Sequence, residues 1–217
     1  MAFRLNPLSR ATAGLVLALA GVGGSAAQTA AQTAAPAQVR GEIASVDGRS
    51  VTVQTREGEV ARLELAADGK IYGMAPAKAE AIVTDSTIAA AGLPEKKGGN
   101  ERLRALVVVI FPDSMKSSGA GEGYFTFDAT PDSAMRTGDV SKSEAGEGGR
   151  VVTIRYPQGG ATIVIPPEAK VVTLEPGDAG LLKKGGHVFV PTAERQPNGS
   201  LAVSMVAVGK DGFTPPM

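Results

Sequence analysis

From Val39 onward, apolar and polar residues alternate over short runs divided by glycine-bearing pairs. Residues 50–55 place Val51 and Val53 on one side and Thr52 and Gln54 on the other, the period of two expected of a strand with one buried face. Residues 39–46 precede this run. Residues 60–65 follow it, with Leu63 and Leu65 again two apart. Asp47-Gly48 and Glu57-Gly58 separate the three runs, and such pairs between alternating segments mark hairpins. A three-stranded meander is therefore predicted. After a short apolar stretch at 71–74, residues 76–82 (PAKAEAI) combine a leading proline with Ala, Lys and Glu and are predicted to form a short helix. Strands are predicted at 87–91 and 103–111. The second contains LVVVIF (106–111), apolar enough to be expected in the core with neighbours on both edges.

Residues 113–138 break the rhythm with Gly119, Gly121, Gly123, Pro131 and Gly138, and read as a connector. The same order then returns. Alternating runs occupy 140–145, 151–156 and 161–165, a short stretch occupies 171–174, a second short helix is predicted at 176–183, and two final strands at 187–191 and 201–208. Arg49-Ser50-Val51-Thr52-Val53 lies opposite Arg150-Val151-Val152-Thr153-Ile154, and Leu63 and Leu65 lie opposite Ile163 and Ile165. A near-constant offset with matching element order suggests an internal duplication. Three meandering strands, a short helix and two further strands fit a five-stranded barrel of the oligonucleotide/oligosaccharide-binding type. The expectation is an all-β chain of two tandem, related, OB-like modules, at 39–112 and 139–217, each with a short helix.

The N-terminus has a different character. Arg4 and Arg10 precede an apolar run at 11–23, and Ser25-Ala26-Ala27 supplies the small residues of a cleavage site, so residues 1–27 are expected to be a signal peptide. Residues 28–38 (QTAAQTAAPAQ) form a low-complexity linker without charge or apolar periodicity. The apolar run is short for a membrane span and no later stretch approaches one, so the mature chain is expected in the periplasm without stable membrane insertion. The absence of cysteine excludes disulfides, thiol catalysis, thiolate metal sites and a lipid-anchored cysteine. Basic and acidic residues balance at 22 each, and loss of Arg4 and Arg10 tips the remainder slightly acidic. Such a chain lacks the general pull for nucleic acid or anionic membrane.

Candidate chemistry is sparse. His187, the only histidine, follows Gly185-Gly186 and has no partner ligands near it in sequence. Asp113, Glu122, Asp128 and Asp132 are oxygen donors in the connector, but their spacing does not match a calcium loop. Gly119-Ala120-Gly121-Glu122-Gly123 lacks the Lys-Ser/Thr of a phosphate loop. Ser133, Ser141 and Ser143 have no local base. The densest aromatic group is Tyr124, Phe125 and Phe127. It serves either as a stacking platform for a ligand or as a plug between modules, and burial favours the plug.

Several segments carry a resemblance: Ile110-Phe111-Pro112-Asp113-Ser114-Met115, Gly121-Glu122-Gly123, residues 195–201 (RQPNGSL) and residues 208–217 (VGKDGFTPPM). Together they resemble an uncharacterised family of exported proteobacterial proteins that often carries the label "metal ABC transporter permease". Each half is also similar to secreted β-modules of unknown function. A permease needs several membrane-spanning helices, which this sequence does not offer after its signal. In the resembled pattern, a histidine precedes Ile-Phe-Pro and another follows Gly-Glu-Gly. Val109 and Tyr124 stand there instead, so a metal site implied through those histidines is lost.

The sequence thus leads to an exported, non-enzymatic binding or accessory protein of the cell envelope, with no cofactor and with an envelope protein or small ligand as partner. Tyr124, Phe125 and Phe127 are its expected contact surface. Metal handling through Asp113, Glu122, Asp128 and Asp132, and envelope hydrolysis by carboxylates, are the alternatives.

Overall fold

Alternation becomes strand throughout. The computed structural model describes residues 37–116, 123–126 and 132–216, the side chains of 37 and 123–126 excepted. The expected signal peptide and nearly all of the linker lie outside these residues. The first strand begins at Ala37, two residues inside the segment read as linker. Among the described residues twelve strands follow one another: β1 (Ala37–Asp47), β2 (Ser50–Thr55), β3 (Val60–Pro76), β4 (Thr87–Lys97), β5 (Asn100–Phe111), β6 (Gly123–Thr126), β7 (Ala134–Gly146), β8 (Gly149–Tyr156), β9 (Gly159–Ile165), β10 (Lys170–Gly177), β11 (His187–Arg195) and β12 (Leu201–Gly209). Asp47-Gly48 and Glu57-Gly58 fall at the β1–β2 and β2–β3 hairpins, as read from sequence, and a further glycine pair not read there makes another turn. Gly98 and Gly99, with φ of 59° and 83°, turn β4 into β5 between Lys97 and Asn100, and a two-residue loop with both φ positive is one that glycine fills without strain. No helix among the described residues is long and apolar enough to cross a membrane.

A closed five-stranded barrel forms the first part of the fold. β1 pairs with β2, β2 with β3, β3 in parallel with β12, β12 with β11, and β11 back with β1. The remaining strands complete a second ring of pairings: β7 with β8, β8 with β9, β9 in parallel with β5, β5 with β4, and β4 with β7. β10 joins the two rings, running antiparallel to the end of β3 and parallel to β5. β6 pairs along β7.

This arrangement corrects the expected modules. Neither 39–112 nor 139–217 closes upon itself. The meander β1–β3 is completed by β11 and β12 from the end of the chain, and the meander β7–β9 by β4 and β5 from the first half. The reason lies in β3 and β10. Their paired segments cross antiparallel, with Met74 opposite Leu174, Pro76 opposite Val172 and Tyr72 opposite Pro176. Each crossing carries the chain out of one ring and into the other.

The register repeats in both rings. Ile43 faces Val53 in the first and Val140 faces Ile154 in the second, and each pair is followed by a bulge before Ser45 or Lys142. Ile43 exchanges backbone bonds of 2.8 Å with Gly185 and Gly186, and Val140 does the same with Asp85 and Ser86. Asp85 there takes a φ of 67° where Gly185 takes 83°.

The two expected helices are single 3-10 turns, Ala79–Ala81 and Ala179–Leu181. Pro76 is held in the ladder opposite Val172. The residues after the turns, Ile82 and Leu182, drop into the ring interiors. Few residues remain between these anchors, and helix nucleation costs more than one turn returns.

Three apolar clusters follow from the pairing. The first ring encloses Ile43, Val53, Leu63, Val190 and Leu182. The second encloses Ile88, Val108, Ile154, Ile163 and Ile82. Between them, where β3 crosses β10, Tyr72, Met74, Val109, Val172, Leu174 and Ala207 form the third.

Candidate functional site

Of the predicted site residues, Asp113 and Asp132 have described side chains. Asp113 sits exposed in the 3-10 turn Asp113–Met115, 3.0 Å from Lys116 Nζ. The hydrogen bond that Lys116 donates to the Asp113 carboxylate raises the Lys116 pKa above the ordinary lysine value. Asp132 occupies an exposed turn with a φ of 65°. Tyr124 and Phe125 lie on β6, paired with Arg136 and Met135 of β7. Glu122, Phe127 and Asp128 lie outside the described residues. Among the described residues no group of three or more His, Asp or Glu side chains is placed to hold a metal ion. His187 opens β11 opposite Glu42 of β1, beside a hollow of about 280 Å³ shared with Arg56 and Pro215. Arg56 closes one side by donating from Nη2 to Pro215 O at 3.0 Å.

Two larger clefts stand out because they are built alike. The first, of about 590 Å³, lies at the end of the first ring where the β1–β2 turn meets the segment that caps it. Leu65, Ile71 and Leu182 give it an apolar wall, and Arg49, Lys70 and Asp178 its charge. The second, of about 450 Å³, lies at the same end of the second ring. Ile165, Pro166 and Val171 supply the apolar wall, and Arg150, Lys78 and Glu80 the charge. The shared register sets Arg49 against Arg150, Leu65 against Ile165, and Ile71 against Val171.

The sequence places these groups by simple means. Arg49 is the last residue of the turn before β2 and Arg150 the second residue of β8, so the hairpin carries each to the ring's rim. Arg49 is fixed there by donating from Nε to Leu65 O at 3.1 Å and from Nη2 to Ala66 O. Arg150 donates from Nη1 to Ser143 Oγ at 2.9 Å, and that hydroxyl donates to Ile82 O at 2.6 Å. The second chain of bonds ties β8, β7 and the capping segment together. Lys70 and Lys78 are exposed. In both clefts, two basic groups face one carboxylate beside an apolar wall, which suits a ligand with an apolar body and a polar end.

Each cleft is assembled from both halves of the chain. The β1–β2 turn and β3 meet the end of β10 and the segment after it in the first, and the segment after β3 meets β8 and β9 in the second. Local composition gives no sign of this. The one sequence signal is the arginine that recurs at the head of both central strands. No protein-family description, curated protein or solved structure matches the chain.

Proposed function

We propose that this chain is an exported, soluble, non-enzymatic binding or accessory protein of the cell envelope, acting in the periplasm. In this reading the two rings descend from a tandem duplication of an OB-like module whose last two strands changed places. The matched clefts carry the reading. Two preformed hollows of small-molecule size, each with an apolar wall and a charged rim, recur at the same place in both rings. A small ligand or a partner's side chain is their natural occupant, and the loops around them form the contact surface. Tyr124 and Phe125 of β6, together with Phe127, belong to this proposal as an additional contact.

The test is made in living cells. Fractionation is expected to recover the chain, shortened to begin near Gln28, with the periplasm. A photo-crosslinking residue at Lys78 is expected to give a discrete adduct, and one at Thr192 none. Retention in the cytoplasm, or identical labelling at both positions, overturns the reading.

A further inference from the structure

We propose that the two clefts are two copies of one site, each taking a small apolar molecule with a single anionic head group. This rests on the binding reading above and narrows it to a class of ligand.

The walls determine the body of the ligand. Leu65, Ile71 and Leu182 in the first cleft, beside the largely buried Tyr72, and Ile165, Pro166 and Val171 in the second, offer a mainly aliphatic wall. An aliphatic chain gains by covering such surface, and a sugar, whose hydroxyls need partners, does not.

The rims determine the head. Arg49 and Lys70 stand against Asp178 in the first cleft, and Arg150 and Lys78 against Glu80 in the second. Asp178 already accepts a bond of 2.7 Å from Gly180 N. Each rim therefore holds an excess of one positive charge, which an anionic head completes with charge-assisted hydrogen bonds. The arginines are held in place beforehand by their bonds to Leu65 O and Ser143 Oγ, so their ordering costs little on binding.

The two rims reach this balance by different routes. Lys70 comes from strand β3, whereas Lys78 comes from the segment before the 3-10 turn, and the position matching Lys78 in the other half is Asp178. Duplication accounts for the shared arginine and walls. By the same register Lys70 matches Lys170, which is not among the residues lining the second cleft; Lys78 supplies the second positive charge there instead, and a common ligand accounts for that replacement.

The experiment uses the mature, untagged full chain and three probes with the same tail: octanoate, octanol and octyltrimethylammonium, each below its aggregation concentration. Backbone amide shifts are followed by NMR. Octanoate is expected to saturate at two per chain, moving the amides of Arg49 and Arg150, with the other two probes weaker by roughly tenfold or more, as loss or reversal of one ion pair implies. Lys70→Glu is expected to remove the response at Arg49 alone, and Lys78→Glu the response at Arg150 alone. Both lysines are exposed, so the unchanged cleft in each variant reports that the fold is intact. Equal binding of all three probes overturns the anionic head. Saturation at one site overturns the paired assignment. If no probe saturates while the Lys78 crosslink persists, the ligand class falls and the binding reading stands; if both fail, both fall.

Discussion

Gly41 and Gly138 lack a side chain because the neighbouring strand leaves no room for one. A Cβ on Gly41 would lie 2.1 Å from Gln54 O, and one on Gly138 2.4 Å from Arg155 O. Each precedes its ring's bulge, where β1 or β7 bends around the barrel. Gly41→Ala is expected to destabilise the protein by about 1–3 kcal/mol through backbone displacement, read as a lower urea midpoint with the same slope. An unchanged midpoint would show that the strands part without cost. At this scale the sequence leaves the clefts unmarked. Tyr124, Phe125 and Phe127 are conspicuous among glycines, whereas Arg49 and Arg150 look like ordinary hairpin charges. An arginine's role at a rim depends on which distant segment arrives opposite it, and composition does not record that.

Among the elements, the segments that close the ends of the rings are the most informative. Ile82 is wholly buried in the second ring and Leu182 nearly so in the first. Ile82→Ala and Leu182→Ala are each expected to cost about 2–5 kcal/mol by leaving cavities. Their effects in the double variant should add, because they belong to separate clusters. Chemical denaturation of the four proteins checks this, and a double variant no worse than the weaker single would contradict it. The strands were legible because alternation states which residues face inward, as Val51, Val53 and Leu63 do. The helices were misread because the Ala-, Lys- and Glu-rich composition at 76–82 says nothing of Pro76 being held in a ladder and Ile82 being drawn into a core. Alternation also leaves open which strand lies beside which, so β4 and β5 read equally well as partners of β1–β3.

Taken whole, the molecule is two rings that each use parts of both halves. A protease site inserted after Ser118 separates the halves covalently. Cleavage is expected to leave one complex of unchanged size in native buffer, since the first fragment supplies strands β1–β5 and the second β6–β12, and both rings draw on each. Size-exclusion chromatography decides it: separation of the fragments would mean that each half can complete its own barrel. The crossing of β3 with β10 has a further consequence for a chain delivered from its N-terminus. The second ring needs only residues 87–165, whereas the first must bring Val39 to Val190. The segment that emerges earliest is therefore the last to find its partners, and the middle of the chain can close while β1–β3 still wait. A message truncated within β11 would leave a finished centre trailing an open three-stranded sheet, whose bare edges invite pairing with a neighbour.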